Sequence, residues 1–324
     1  MMRSTGSRIR TTKGLFLSLL LLSSSCSRVS QDIEPKVNYA VHEKYLKQLP
    51  TPFPSLTAEE RSSDWGKEYL IGVGFARKLD LYRAITAFRR AELLTPIEAT
   101  ERRLEIEYEI LLCYYLGRRY SEVETAFNGS DLAKVGTDFP AFQDLLVILY
   151  DTYDQLDDWT RACQILELIY KHYPASYETL SLSSAMQRAD FEALHQFTEL
   201  DTERPYLCSF LTTYENRRKS PATAGFLNAV IPGSGYLYLG QNRTALTAFL
   251  VNGLFIAASV HFFKNGPVTA GIITASFEAG WYFGGIQGGA SQARLYNQCL
   301  YEEMATPMMN REKLFPVFMI NYGF

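Results

Sequence analysis

The chain has no large excess of either charge, no cluster of metal ligands and no nucleophile motif. Its 32 basic and 35 acidic residues leave a formal charge of -3, so no global field draws it to nucleic acid or to an anionic membrane surface. No nucleic-acid partner is expected. The five cysteines, Cys26, Cys113, Cys163, Cys208 and Cys299, are scattered, with no CxxC pair and no histidine at ligand spacing, which argues against zinc. The four histidines, His42, His172, His195 and His261, fall in unrelated segments, and the Gly-x-Ser-x-Gly, His-Glu-x-x-His and Walker glycine patterns are missing. No catalytic residue, cofactor or metal is expected, and the chain reads as a non-enzyme. What it does have is aromatic residues at 14%, many of them tyrosines set along segments of helical pattern. Its 324 residues leave room for about two domains.

The amino-terminal segment reads as an export signal. Arg3, Arg8, Arg10 and Lys13 form a basic region, and the apolar run from Leu15 to Leu22 is far too short to span a bilayer. Ser23, Ser24 and Ser25 then lead into Cys26. This segment, residues 1–26, resembles a bacterial lipoprotein signal, although Ser23 stands where a leucine is usual. The resemblance implies cleavage before Cys26, acylation of its thiol and residence in the bacterial cell envelope. Ordinary signal cleavage with Cys26 incidental is the alternative. Residues 27–60, with Pro35, Pro50, Pro52 and Pro54 among polar residues, break helical periodicity and read as a linker.

The strongest internal signal is a repeat at a spacing of 39. Phe75, Tyr114 and Tyr153 share one register with Leu81, Tyr120 and Trp159, with Ala84, Val123 and Ala162, and with Phe88, Phe127 and Leu166. The order aromatic, turn, bulky, small, bulky suits two antiparallel helices, the small residue allowing the second to approach the first. Gly72, Phe75, Ala84, Phe88, Ala91 and Pro96, and again Tyr153, Ala162, Leu166 and Pro174, resemble the tetratricopeptide pattern. The resemblance implies a helical solenoid over 61–216, with a weaker fourth pair from 176 to 216, that presents a curved surface to a protein or peptide partner; a plain spacer is the alternative. Asp151, Asp154 and Asp158 fall on one helical face as a possible recognition feature, or else as a solvated face near a helix end.

The character changes after Arg217, Arg218 and Lys219. From Thr244 to Ala293 the only formally charged side chains are Lys264 and Glu278, and Asn265, Gly266 and Pro267 supply a turn. Two apolar helices near the ~20-residue spanning length are expected, about 244–263 and 268–288, as a transmembrane hairpin within 223–297. Gly280, Gly284 and Gly288 form a small-residue row suited to close helix packing, against the first helix through Gly253 and Ala257 or against a second protein, which allows a homo-oligomer. Reflection about Asn265 sets Glu278 opposite Asn252, an expected polar pair inside the apolar layer. The segment from Phe226 to Gly240 contains Pro232, Gly233, Gly235, Tyr238 and Gly240 and resembles the Pro-Gly-x-Gly-x-x-Tyr-x-Gly entry of poorly characterised bacterial two-helix membrane proteins, loosely TM2-like. That resemblance implies a membrane-entry turn, contact with membrane lipid and no known reaction.

The expectation is therefore an all-α chain: a tetratricopeptide-like solenoid, then a transmembrane helical hairpin, then a packing tail over 298–324. Its expected function is a membrane-anchored interaction scaffold of the cell envelope, periplasmic in its repeat domain, at the inner membrane in preference to the outer. Arg217, Arg218, Lys219 and Arg243 oppose that topology through the positive-inside preference, unless 224–240 enters the membrane and returns. The competing expectation is a component for membrane-protein assembly, insertion or transport acting through the hairpin.

Overall fold

A computed structural model describes residues 32–39, 49–200 and 204–324, and among them the chain is all-α with no strand. Cys26, the export segment and part of the proline-rich linker lie outside the described residues. The chain divides into two units, one of Lys36–Pro205 with Ala305–Phe324 and one of Met1–Pro35 with Tyr206–Met304. The division leaves the helix Pro205–Arg217 with the apolar segment that follows rather than with the repeats, and it returns the last twenty residues to the repeat unit.

The repeat unit runs through α1 (Ala58–Ser62), α2 (Asp64–Ala76), α3 (Leu81–Leu94), α4 (Thr100–Leu116), α5 (Tyr120–Asn128), α6 (Phe142–Gln155), α7 (Trp159–His172), α8 (Pro174–Arg188) and α9 (Phe191–Leu200). Its 39-residue spacing is at bottom a spacing of turns. Leu79, Arg118 and Asp157 all adopt the left-handed conformation, with φ of 59°, 55° and 57°, and Ala189 repeats it at 52°. The following N–H groups, of Asp80, Arg119, Asp158 and Asp190, each donate to a carbonyl five residues back, at Phe75, Tyr114, Tyr153 and Ala185, over 2.9–3.1 Å. Asp80, Asp158 and Asp190 then cap the next helix through their carboxylates, as short acidic side chains do at helix starts. The fourth pair, α8 and α9, uses the same turn after a shorter connection and ends at Leu200, not near 216.

The columns read from the sequence have distinct physical jobs. Ala84, Val123 and Ala162 are at most 2% exposed, each on the second helix of its pair, and a Cβ on Gly72 would meet the Phe88 ring at 2.6 Å. The aromatic column ends each first helix beneath an arginine at or just before the start of the second: Arg83 lies 5.7 Å from Phe75, Arg119 5.4 Å from Tyr114 and Arg161 4.4 Å from Tyr153. Such contacts contribute roughly 0.5–1 kcal/mol at exposed sites. The acidic face suggested by Asp151, Asp154 and Asp158 is not a recognition patch. Asp151 is buried and accepts from Tyr115 Oη at 2.6 Å, Asp154 pairs with Arg188, and Asp158 is a helix cap that also pairs with Arg161 at 2.6 Å.

The carboxyl-terminal segment is laid against this unit. Residues Pro316–Met319 form a single 3-10 turn packed on α6 and α8, and Phe315, Val317 and Ile320 are buried. Beyond the turn the chain is extended, so its N–H groups need partners. Asp144, fully buried on α6, takes three of its donors: Asn321 N–H at 2.9 Å, Tyr322 N–H at 2.8 Å and the Asn321 amide at 3.0 Å. Gly323 N–H donates to Pro50 O at 2.9 Å, and Arg77 Nε donates to Phe324 O at 3.1 Å. Tyr39, itself beneath Arg118 at 4.2 Å, lies against Phe315 and Phe318.

The second unit holds α10 (Pro205–Arg217), α11 (Pro221–Val230), α12 (Ser234–Tyr238), α13 (Asn242–Asn265) and most of α14 (Val268–Arg311). Among the described residues one helix, α13, is long and apolar enough to cross a membrane. The expected second apolar helix does not stop near 288. Its chain continues as one helix of 44 residues through Pro307 to Arg311, because nothing between 288 and 306 breaks it and Tyr301 anchors it against Phe210 and Tyr214, with ring centroids 5.3 and 5.5 Å apart.

Asp157 is exposed and left-handed, a conformation that costs an L-residue about 1 kcal/mol and glycine almost nothing; Asp157→Gly is expected to leave stability unchanged or raise it by about 0.5 kcal/mol, read as the urea midpoint. Burial raises the carboxyls of both Asp144 and Asp151 to about 6 from an ordinary value near 3.8. The folded chain therefore binds protons more readily than the unfolded chain between about pH 4 and pH 6, so these groups stabilise it at low pH and lose that contribution as pH rises through 6. Unfolding followed at pH 5 and pH 7.5 should show greater stability at pH 5, with the difference reduced in Asp151→Asn.

Candidate functional site

The segment between α10 and α13 is built around one amide. Ser220 caps α11 by accepting from Thr223 N–H at 3.2 Å, and Pro221 occupies the first turn, where its missing donor costs nothing. The helix stops at Val230, and the chain must turn through Pro232 and Gly233 before α12. Asn228, 3% exposed, bridges that turn: its Oδ1 accepts from Gly235 N–H at 2.7 Å, and its Nδ2 donates to Gly285 O of α14 at 2.7 Å. Ser234 Oγ donates to Leu227 O at 2.6 Å, and Tyr282 Oη donates to Ala229 O at 2.7 Å. The carbonyls released at the end of α11 are thus met by side chains on both sides.

The glycines of this motif divide by function. Gly233 has φ of 94° and lies so close to α13 that a Cβ would meet Ala245 O at 2.3 Å. Gly235 is helical, but a Cβ there would meet Ala224 O at 2.1 Å and the Asn228 amide at 2.8 Å. Gly240 has φ of 79° with open space around it. Pro232 precedes the turn and lines a cavity with Gly233. Small residues also seat α11 on α14: Ala224 and Ala293 are fully buried, and Gly289 brings its backbone against Ala224 and Asn228. Beyond α11, Asn297 exchanges two hydrogen bonds with the backbone of Lys219, at 2.7 and 2.8 Å.

The expected packing row on α14 is split. Gly288 admits the Tyr236 hydroxyl, which a Cβ would meet at 2.4 Å, whereas Cβ atoms on Gly280 and Gly284 would meet nothing within 4 Å. The same holds for Gly253 on α13, so the close helix contact expected through these glycines is not made within the chain. Gly280, Gly284 and Gly285 instead line a cavity of about 600 Å³ with Phe277, Trp281 and Asn252, capped by Pro232, Gly233 and Tyr236.

The expected pair of Glu278 and Asn252 is also not formed. Asn252 donates from Nδ2 to Ala248 O at 2.6 Å, while its Oδ1 and both carboxylate oxygens of Glu278 have no partner. Glu278 lies with Ser259, Ile256 and Tyr282 at a second cavity of about 410 Å³. Reflection about Asn265 sets Phe263 opposite Pro267, but Phe263 packs on Gly271, where a Cβ would meet its ring at 2.9 Å. The register is displaced by about four residues, roughly one helical turn, which carries Glu278 past Asn252 to the level of Ile256, in the cavity that Ser259 also lines.

Among the described residues no group of three or more histidine, cysteine, aspartate or glutamate side chains is placed to hold a metal ion. Sequence reasoning gave no role to Asn228, Ser234, Tyr282 or Asp144. The one available signal for Asn228 was an amide inside an otherwise apolar helix seven residues before Gly235. The chain matches no family model, no curated protein and no solved structure.

The geometry separates two kinds of glycine experimentally. Gly235→Ala forces a Cβ against Ala224 O and should lower the thermal midpoint of the purified chain by many degrees, whereas Gly280→Ala should leave it unchanged. Asn228→Leu leaves a buried N–H and a carbonyl unpaired, at about 1–3 kcal/mol each, and should be nearly as damaging as Gly235→Ala.

Proposed function

We propose that this chain is a non-enzymatic, membrane-anchored protein–protein interaction scaffold of the bacterial cell envelope. In this reading the helix pairs form a tetratricopeptide-like solenoid that binds a protein or peptide partner in the periplasm. The export segment delivers the chain to the envelope, Cys26 is acylated, and α13 with the first half of α14 spans the inner membrane as a hairpin. The observation that carries the reading is that the repeat unit already holds an extended segment of polypeptide, residues 320–324, largely by its backbone through Asp144 and Arg77. A surface that takes main-chain donors from an extended segment has the chemistry that peptide recognition uses. Support for the membrane part comes from the composition of α13 and from large apolar side chains exposed along both helices, among them Phe249, Leu254, Ile273 and Phe277.

The other reading, a component for membrane-protein assembly, insertion or transport, is favoured by the unfilled Gly280 and Gly284 positions. Photo-crosslinking groups placed in intact envelopes on α3 at Tyr82, on α7 at Tyr170, and at Gly284 separate the two. The scaffold reading expects discrete protein adducts from the repeat positions that persist when Gly280 is changed to Leu. Adducts from Gly284 alone transfer the function to the hairpin. The anchor is tested independently: Cys26→Ser should remain in the membrane fraction through a carbonate wash, and its release into buffer would remove the transmembrane hairpin from the proposal.

A further inference from the structure

We propose that the cavity between α12, α13 and α14 binds a neutral single-chain amphiphile, an apolar chain carrying a hydroxyl head, of the monoacylglycerol class. This inference rests on the membrane part of the reading above and not on the repeats. The volume of about 600 Å³ falls in the ~300–1,000 Å³ range of small-molecule sites. A helix about 10 Å across would exhaust it in under two turns, so a flexible chain is the better occupant than a partner helix. The floor is glycine backbone at Gly280, Gly284 and Gly285, where even a Cβ would meet nothing within 4 Å, and Phe277 and Trp281 flank it.

The polar groups decide the head. No aspartate, glutamate, lysine or arginine lines the cavity, so a charged ligand would lose its hydration without a counter-charge. Most lining donors are already committed. Asn228 is bonded at both ends, Tyr282 donates to Ala229 O, and Thr247 and Ser276 donate to Arg243 O and Ile272 O of their own helices. Asn252 differs. It is 4% exposed, its Nδ2 is used by Ala248 O, and its Oδ1 has no partner. A buried acceptor without a donor is costly, and a ligand hydroxyl supplies the missing donor. A fatty acid carboxylate supplies none and brings a charge.

The test uses the full chain in phosphatidylcholine nanodiscs with a diazirine-bearing monoacylglycerol as probe. Label is expected within Thr244–Asn252 and Ser276–Gly285, competed by excess unlabelled monoacylglycerol and weak with the corresponding fatty acid probe. It should fall at least tenfold in Gly284→Leu and in Thr247→Phe, which fill the cavity, and severalfold in Asn252→Leu, while Gly253→Leu, outside the cavity, labels as the parent does. Circular dichroism identifies variants that fold, and Thr247→Phe carries the test if Gly284→Leu does not. Label spread evenly over exposed Leu246, Leu250 and Leu254, label that resists competition, or full labelling of both cavity-filling variants overturns the site. A crosslink between two copies at Gly284 in place of lipid label also overturns it and assigns the cleft to a second chain. Retained carbonate-resistant association with no competed label sinks this site alone, whereas loss of that association sinks the membrane reading beneath it.

Discussion

Main-chain polar groups that leave a helix must be met, and in each unit of this protein a buried polar side chain meets more than one of them. In the repeat unit Asp144 takes the N–H groups of Asn321 and Tyr322. In the other unit Asn228 takes Gly235 N–H and gives a bond to Gly285 O. The parallel is physical, since an unpaired buried backbone group costs as much as a lost hydrogen bond. Where the chain stops being helical inside a packed region, buried polar side chains therefore decide whether that path is allowed. The chemistry differs with the job: a carboxylate accepts several donors from an extended segment, whereas an amide accepts from one strand of the chain and donates to another.

The repeat is marked by a strained turn as well as by its packing. Left-handed Leu79, Arg118, Asp157 and Ala189 cost roughly 1 kcal/mol each, yet none is glycine. In each turn the cost is offset by the back-bond from the next residue and, at three of the four, by an aspartate cap. Arg118 adds a second use for its position: it lies over the Tyr39 ring and donates to Tyr39 O at 3.0 Å. The same turn thus recurs between paired helices, and the small residues Ala84, Val123 and Ala162 are buried on the second helix of each pair.

How much was legible depended on whether a feature recurs. The helix pairs could be read because four columns repeat at one spacing, and the turn between α13 and α14 because Asn265, Gly266 and Pro267 interrupt an apolar run. The end of α14 was not readable, since helix-permissive residues continue past Gly288 and only the contact of Tyr301 with Phe210 and Tyr214 shows that they stay helical. The pairing of Asn252 with Glu278 failed for a geometric reason: reflection about a turn fixes the register only if the first contact is known, and Phe263 packs on Gly271. Asp144 was invisible because its partners lie about 177 residues away, and no local pattern carries that information.

The polar atoms left over in the apolar helices form a consistent set. Asn252 Oδ1, Ser259 Oγ and both oxygens of Glu278 are buried without partners, on the two helices with the most exposed apolar surface. The turn between α11 and α12 is bonded through Asn228, Ser234 and Tyr282, whereas four oxygens a few turns away are bare. If these helices lie in hydrocarbon, as proposed, such groups are expensive and are kept where they meet a partner, a ligand or water. Ser259 and Glu278 share one cavity while Asn252 lines another, so no single rotamer change within the chain joins all three. Ser259 Oγ–H is itself a donor beside Glu278, so that set can close within the chain, and Asn252 Oδ1 is the atom that needs a donor from elsewhere.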